Sequence, residues 1–366
     1  MIARTGRMVG PSSATGVIAW MGSWCYAWKL MPAPQLHLSF GLTVANHAGI
    51  PAAMRRAAAA EPVYTRLGSI FHDLPYYGNM LAEAARYGLG AAALDEPWAY
   101  RMHSVRPARF VASYLRAAAT TPGLSADEGM ALAAGLISHC ALDLSLHPLV
   151  NYCARRDTDA LGGHESFNHR ITEKYHALFF HADHLAYDPI GTPTFRRWTR
   201  VVKEGGLFRA RVEAPLGGFM RDAYAGAYGN APTVARWAGW VRSFAHFGIL
   251  VGSSLAANNS EKKRYDQALR ARFFENDVFS FWAFYACAEA RLGKLGTLAH
   301  DYMANGDFSV DAENAFVAEA GIDDLAEPLP APDLPSLPQL TVRCTPGLSR
   351  PLATQSNGNI VVRAAA

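Results

Sequence analysis

The stretch His139-Cys140-Ala141-Leu142-Asp143-Leu144-Ser145-Leu146-His147-Pro148 decides how this chain reads. Its polar groups recur at i, i+4 and i+8 in an otherwise apolar run. On a helix each step of four residues advances about 400°, so His139, Asp143 and His147 fall within a fan of about 80° on one face. Three ionisable groups flanked by Leu136, Leu142, Leu144 and Leu146 are costly to bury without a compensating partner. A divalent cation supplies one, and zinc accepts both imidazole nitrogen and carboxylate oxygen. A structural Asp–His hydrogen bond is the rival reading for a single pair; three groups in register favour a metal. Upstream, Ser125 is a good N-cap and Asp127-Glu128 suit the positive end of a helix. That helix is expected to run from Ala126 to about Leu146, where Pro148 disturbs it.

Outward from this helix the chain reads as more helix. Expected helical segments are His37 to His47, Pro51 to Ala60, Asn79 to Tyr87, Pro107 to Ala119, Glu165 to Phe180, Pro193 to Lys203, Phe219 to Ala227, Thr233 to Val251, Glu261 to Phe274 and Val278 to Leu292. Gly/Pro turns join them, β-branched runs are few, and no strand-turn-strand pattern is evident. Trp237, Trp240, Phe244 and Phe247 recur at helical spacing and read as core. The fold class is therefore all-α. Residues 1–30 read as a poorly ordered extension, 31–325 as one helical domain with its metal site within 31–185, and 326–366 as a Pro-rich, extended or disordered tail.

A second helix repeats the chemical theme. His169 and Glu173 stand at i and i+4, with His176 at i+7 and His164 one turn upstream. A helical hairpin would bring this face to the first. Two further elements could close a site. The turn-rich Gly68-Ser69-Ile70-Phe71-His72-Asp73-Leu74-Pro75-Tyr76-Tyr77-Gly78 presents an acid, with His72 beside it as an extra ligand or a neighbour, and His103 precedes the Pro107 helix. His37 is a lone histidine on an apolar helix.

Composition narrows the classes. The 366 residues carry 34 Lys plus Arg against 31 Asp plus Glu, a net charge of 34 − 31 = +3, and half of them are hydrophobic. A generic nucleic-acid binder would show a larger basic excess, so nucleic acid is the less favoured partner. The five cysteines are odd in number and widely spaced, with neither a disulfide framework nor a CxxC zinc pair. The most apolar windows are interrupted by ionisable residues, so none reads as a membrane span. Val17 to Met31 reads either as a poor signal peptide or as an extension ahead of a functional start at Met31-Pro32. The expected location is the cytoplasm or the membrane periphery, with secretion the alternative.

The order of these motifs resembles a known family. Met-Pro-x(4)-His (Met31 to His37), Gly-x(4)-Asp-x-Pro-Tyr-Tyr (Gly68 to Tyr77), a lone histidine before a helix (His103), His-x(3)-Asp-x(3)-His-Pro-x(2)-Asn-Tyr (His139 to Tyr152) and a His-rich segment with a glutamate look like the zinc-dependent phospholipase C family. That family shares an all-helical superfamily with the single-strand-specific zinc nucleases. The resemblance covers about residues 31 to 185. It implies two or three zinc ions in a cleft, hydrolysing phosphodiester bonds, with a phospholipid as the substrate class and peripheral contact with a membrane. By position it implies one metal site of Asp73, His103, His139 and Asp143. A second would use His147 with His169 and Glu173, or with His164 in a register that pairs it with Asn168. A third would pair His37 with Asp143. Asp73 is the implied bridging ligand or base.

The chain departs from the pattern in two places. The family's third zinc is held partly by the free amino-terminal residue of the processed enzyme, whereas 36 residues precede His37 here. The histidine after Asp143 comes four residues later and precedes the proline, whereas in secreted relatives it comes later and follows it. The readings that compete are a phospholipase C-like hydrolase, a nuclease of the same fold, and a non-catalytic helical protein with a structural or decayed metal site.

Overall fold

The computed structural model describes residues 34–78, 97–156, 165–183, 214–251, 266–326, 352–356 and 359–363. The expected helices at Asn79 to Tyr87 and Pro193 to Lys203, the candidate ligand His164 and the extension 1–30 lie outside the described residues, as does most of the tail.

Among the described residues there are twelve α-helices: α1 (Pro34–Thr43), α2 (Ala52–Ala60), α3 (Pro62–Ile70), α4 (Pro97–Ser104), α5 (Pro107–Thr120), α6 (Ala126–Arg156), α7 (Glu165–Asp183), α8 (Ala214–Tyr228), α9 (Val234–Val251), α10 (Gln267–Phe273), α11 (Phe281–Asn305) and α12 (Val310–Ala320). Short 3-10 turns follow α1 (Val44–Asn46) and α3 (Leu74–Tyr77). The protein is all-α in its folded body. One apolar core runs from Leu36 to Leu325.

The central element is α6, which packs against α1, α2, α3, α5, α7 and α11. A reciprocal capping box starts it: the Glu128 N–H donates to Ser125 Oγ at 3.2 Å and the Ser125 N–H donates to Glu128 Oε2 at 3.0 Å. By length and hydropathy alone α6 could cross a membrane, but 94% of its apolar window is buried within the fold. Surrounding helices, not lipid, cover its leucines.

Contrary to expectation, α6 does not stop at Leu146. It continues through Pro148 to Arg156. Proline has no N–H to give the carbonyl four residues back, which would leave Leu144 C=O without its helical donor. Arg291 on α11 donates to that carbonyl through Nη1. The break in the ladder is thus mended from a neighbouring helix.

The α3–α6 crossing is closer than ordinary side chains permit. A Cβ added to Gly68 would sit 2.3 Å from Leu132 O, and one added to Gly135 would sit 2.1 Å from Thr65 O. Glycine at both positions lets the two backbones touch. That contact carries Ser69 C=O to within 3.0 Å of His139 Nδ1. On the far side of the Leu74–Tyr77 turn lies α9, with Trp237, Trp240 and Phe244 buried as expected of core residues. Tyr77 packs edge-on against Phe244, with ring centroids 4.9 Å apart.

Two features add to the sequence reading. Cys287 on α11 is disulfide-bonded, its partner lying outside the described residues, while Cys140 and Cys153 are free and buried. Widely spaced cysteines give no pairing signal in sequence. The tail contains an antiparallel hairpin, β1 (Leu352–Ser356) with β2 (Asn359–Arg363), in which Leu352 opposes Arg363 and Ser356 opposes Asn359. Asn357-Gly358 between the strands is a strong hairpin dipeptide, followed by the β-forming Ile360-Val361-Val362. The polar composition of the tail masked that signal.

Candidate metal centre

Four elements deliver side chains to one region of the core: α1, the turn after α3, α4 and α6. There His37, Asp73, His103, His139 and Asp143 are all buried. His139 Nε2 lies 3.0 Å from Asp143 Oδ2, and His37 Nε2 lies 3.3 Å from Asp143 Oδ1. His103 Nε2 lies 3.4 Å from Asp73 Oδ1 and 3.7 Å from Asp143 Oδ2. One turn further along α6, His147 Nε2 is 3.5 Å from both Asp143 Oδ1 and Glu173 Oε1, and His169 Nε2 is 3.4 Å from the same Glu173 oxygen.

Three groups result, and within each one ligand atom per residue lies within 4.8 Å of the others. They are His37–His139–Asp143, Asp73–His103–His139 and His147–His169–Glu173. Ligands of one zinc ion stand roughly 3–4 Å apart, given bonds of about 2.0–2.2 Å. Buried His/Asp clusters of this kind can hold a metal ion.

The hydrogen bonds decide which nitrogen faces the cluster. A carbonyl only accepts, so His103 Nδ1 must donate to Ala99 O at 2.8 Å and His139 Nδ1 to Ser69 O at 3.0 Å. His147 Nδ1 donates in the same way to Leu325 O. Asn151 Nδ2 donates to Ala326 O at 2.8 Å, which turns Asn151 Oδ1 towards His169, where it accepts from Nδ1 at 2.9 Å. In all four histidines the Nδ1 proton is thereby committed outward. A neutral ring then presents only a lone pair at Nε2, and a carboxylate presents only lone pairs. Acceptors therefore face acceptors across the cluster. His139 Nε2, Asp73 Oδ2, Asp143 Oδ2 and Glu173 Oε2 are buried without a hydrogen-bond partner. Such a set is stable only around a cation or with extra protons.

Without a metal, protons fill that role. Burial alone would lower His139, but the Asp143 and then Asp73 carboxylates outweigh it and raise its pKa to about 9. Burial is likewise outweighed at His147, where Asp143 and Glu173 raise the pKa to about 10. Burial opposes ionisation of Asp143, yet His139, His147 and His37 hold its pKa well below the usual carboxylate range. Glu173 is also lowered against its own burial, by His169 and His147. Protons and a divalent cation thus compete for the same lone pairs.

Compared with known protein families, curated proteins and solved structures, the chain matches none of them. The site is therefore read from its own chemistry.

Of the residues singled out in sequence, the structure brings together His37, Asp73, His103, His139, Asp143, His147, His169 and Glu173. Asn168, the alternative to Glu173, instead turns Nδ2 towards Ala154 O at 3.4 Å. His176 stands apart as a core histidine bonded to Phe273 O at 2.7 Å; burial lowers its pKa to about 4. His72 stacks on His139 at 4.8 Å, and neither of its ring nitrogens has a partner among the described residues. It is a neighbour in the cluster wall and belongs to none of the three groups. Sequence reasoning missed the partners of His147 and His169. Asn151 continues the 139, 143, 147 series by one more step of four, so its place on this face could have been found. Leu325 and Ala326 act through backbone oxygens and leave no residue signature.

Proposed function

We propose that this protein is a zinc-dependent phosphodiester hydrolase of phospholipase C-like type, acting on a phospholipid or related phosphodiester. The observation that carries the reading is the facing of Nε2 atoms and carboxylates in adjacent groups, with Asp143 lying between His139 and His147. Asp73, His103, His139 and Asp143 would hold one zinc ion, His147, His169 and Glu173 a second, and His37 with Asp143 a third. Zinc so held would supply positive charge for the phosphate oxygens and would acidify an attacking water.

The chain's own residues do the rest. Asp73 engages His103 through Oδ1, while Oδ2 is buried without a hydrogen-bond partner and is the atom placed to take a proton from an attacking water. A cavity of about 20 Å³, lined by His37, Asp143, His147 and Glu173 among others, leaves space for a water-sized group between Asp143 and the His147 group. A closed structural zinc site leaves no such position. Arg170 on α7 holds its guanidinium 6.0 Å over the Tyr76 ring, and Tyr76 lies against His103. A cation there favours an anionic diester. The near-neutral total charge favours a lipid headgroup over a nucleic acid as its source.

A second reading is a structural metal centre. It draws on the depth of the first group, whose side chains are no more than 6% exposed at Asp73, His103 and His139. One experiment separates the two. Metal content of the purified chain is measured by mass spectrometry beside hydrolysis of bis(p-nitrophenyl) phosphate, with and without chelator and with zinc restored. Bound zinc and chelator-sensitive turnover support the hydrolase. Bound zinc with no turnover on that substrate, on phospholipid vesicles or on single-stranded DNA supports the structural centre. Cleavage of DNA alone would move the reading to a nuclease.

A further inference from the structure

The His147–His169–Glu173 group is oriented by a segment far away in sequence. After α12 the chain crosses the α4 and α6 helices as a short strap ending at Ala326. Two successive carbonyls of that strap face the group. Leu325 C=O accepts directly from His147 Nδ1. Ala326 C=O accepts from Asn151, whose side-chain oxygen in turn accepts from His169 Nδ1. The strap is fixed on its other side. The Leu325 N–H donates to His103 O at 2.8 Å, and Asp324 Oδ1 accepts from Ser104 Oγ at 3.1 Å and from the Ala326 N–H at 2.8 Å. Ile322 and Leu325 anchor it in the core with almost no exposure.

The Asp73–His103–His139 group needs nothing comparable. His103 is oriented by Ala99 of its own helix and His139 by Ser69 of α3, both within the helical body.

We propose that the Asp324–Ala326 strap is the positioning device of the second metal group: it sets both histidines with Nε2 inward, so this group takes its cation only when the strap is docked. The proposal rests on the metal reading above and adds a dependence of the His147–His169–Glu173 group on the segment that follows α12. Outer partners of metal-bound histidines fix ring orientation and raise ligand basicity, and their loss weakens metal binding about 10–100-fold. Here one dipeptide serves two ligands at once, so its loss should be felt at one site and not the other.

The test uses the full chain and three variants: Asn151→Ala, which cuts the relay to His169; Asp324→Ala, which releases the strap; and Asp73→Asn, which strikes the first group. Zinc is titrated into metal-free protein, and the equivalents bound and their affinities are counted. Melting of the metal-free proteins is followed in parallel. The expected result is that Asn151→Ala and Asp324→Ala each weaken one equivalent by about 10–100-fold and keep the rest at wild-type affinity, with metal-free melting close to wild type. Asp73→Asn should weaken a different equivalent, so that its combination with Asn151→Ala loses both. Undiminished affinity for every equivalent in both strap variants overturns the proposal and leaves the metal reading standing. Uniform weakening of all equivalents together with early melting of the metal-free protein also overturns it, because the strap would then be general structure. A wild-type chain that binds no zinc overturns the proposal together with the reading beneath it.

Discussion

Two of the three groups draw on one helix, α6, and face one carboxylate, Asp143, yet are built differently. Around Asp73, His103 and His139 every orienting bond comes from neighbouring turns of the helical body, and the side chains are sealed. Around His147, His169 and Glu173 the orienting bonds run to the segment after α12, directly for His147 and through Asn151 for His169, which retains 24% side-chain exposure. Asp143 faces both groups. One group is oriented from within the helical body and the other through the segment after α12, so the two should respond differently to substitution. The predictions that follow probe that division.

The largest effect should come from removing what the halves share. Asp143→Asn keeps size and shape but deletes the charge that offsets a divalent ion at both groups. Zinc content and phosphodiester turnover should collapse together, by more than the roughly 10–100-fold that loss of an outer partner costs. The fold should persist, because α6 is held by the apolar residues around it. Mass spectrometry of bound zinc, assay and circular dichroism on the same preparation check all three. Full occupancy with unchanged hydrolysis would remove Asp143 from the centre.

Protons should report the same coupling. In the metal-free chain the pKa of His139 is raised to about 9 and that of His147 to about 10, so both carry a proton at pH 7. Zinc must displace those protons, and its affinity should rise with pH and level off above about 10. Calorimetry at pH 7 in buffers of different ionisation enthalpy should show about two protons released per loaded protein. The sign for stability follows from raised folded-state values. The contribution of these histidines is complete below their unfolded pKa near 6.5 and is lost as pH climbs through about 9 and then 10. Metal-free protein should therefore melt earlier at pH 10 than at pH 7, and zinc-loaded protein should show less of that fall. Release of no protons would mean that the carboxylates do not face these rings.

How much of this was legible in sequence depends on where the information sits. The ligand face of α6 was legible because side chains at i, i+4 and i+8 must share a face whatever surrounds them. The N-terminal boundary of α6 was legible because Ser125 and Glu128 cap each other locally. Which of Asn168 and Glu173 joins the cluster was not legible, since both registers of α7 fit the spacing and only packing against α6 chooses. The strap was invisible because Leu325 and Ala326 contribute carbonyls, which every residue has. The persistence of α6 beyond Pro148 was misread because its remedy, Arg291, lies on another helix 143 positions later by sequence number.

A smaller effect tests how tightly the sealed half is set. Gly68→Ala and Gly135→Ala each push a methyl group into a backbone oxygen, at 2.3 and 2.1 Å. Neither oxygen can swing aside as a side chain would, so α3 and α6 must part. Alanine gains about 1 kcal/mol of helix propensity over glycine, set against an overpacking cost of typically 1–3 kcal/mol. A net loss of up to about 2 kcal/mol is expected by denaturant titration. His139 loses its close approach to Ser69 as well, so zinc at the first group should weaken while the His147 group keeps its affinity. That is the mirror image of the strap variants. Equal weakening of both groups would erase the distinction between them.

The most local effect lies at the seam between the halves, where Pro148 follows His147. Leu144 C=O lacks its helical donor and is served by Arg291. Arg291→Met keeps much of the apolar stem but removes the donor, and an unsatisfied buried carbonyl costs about 1–3 kcal/mol. Pro148→Ala restores the N–H that the helix would ordinarily supply. In the Arg291→Met background this second change should therefore recover most of the loss. In the wild-type background it should do little, because the carbonyl already has a donor. The two substitutions should thus be non-additive, with a coupling of about 1 kcal/mol in a double-mutant cycle by denaturant unfolding. Additive changes would show that Arg291 supports α6 by packing or charge alone. The same cycle read through zinc affinity carries a further consequence. The seam aims His147 and not His139, so any change in metal binding should fall on the strap-dependent group and leave the sealed one as it was.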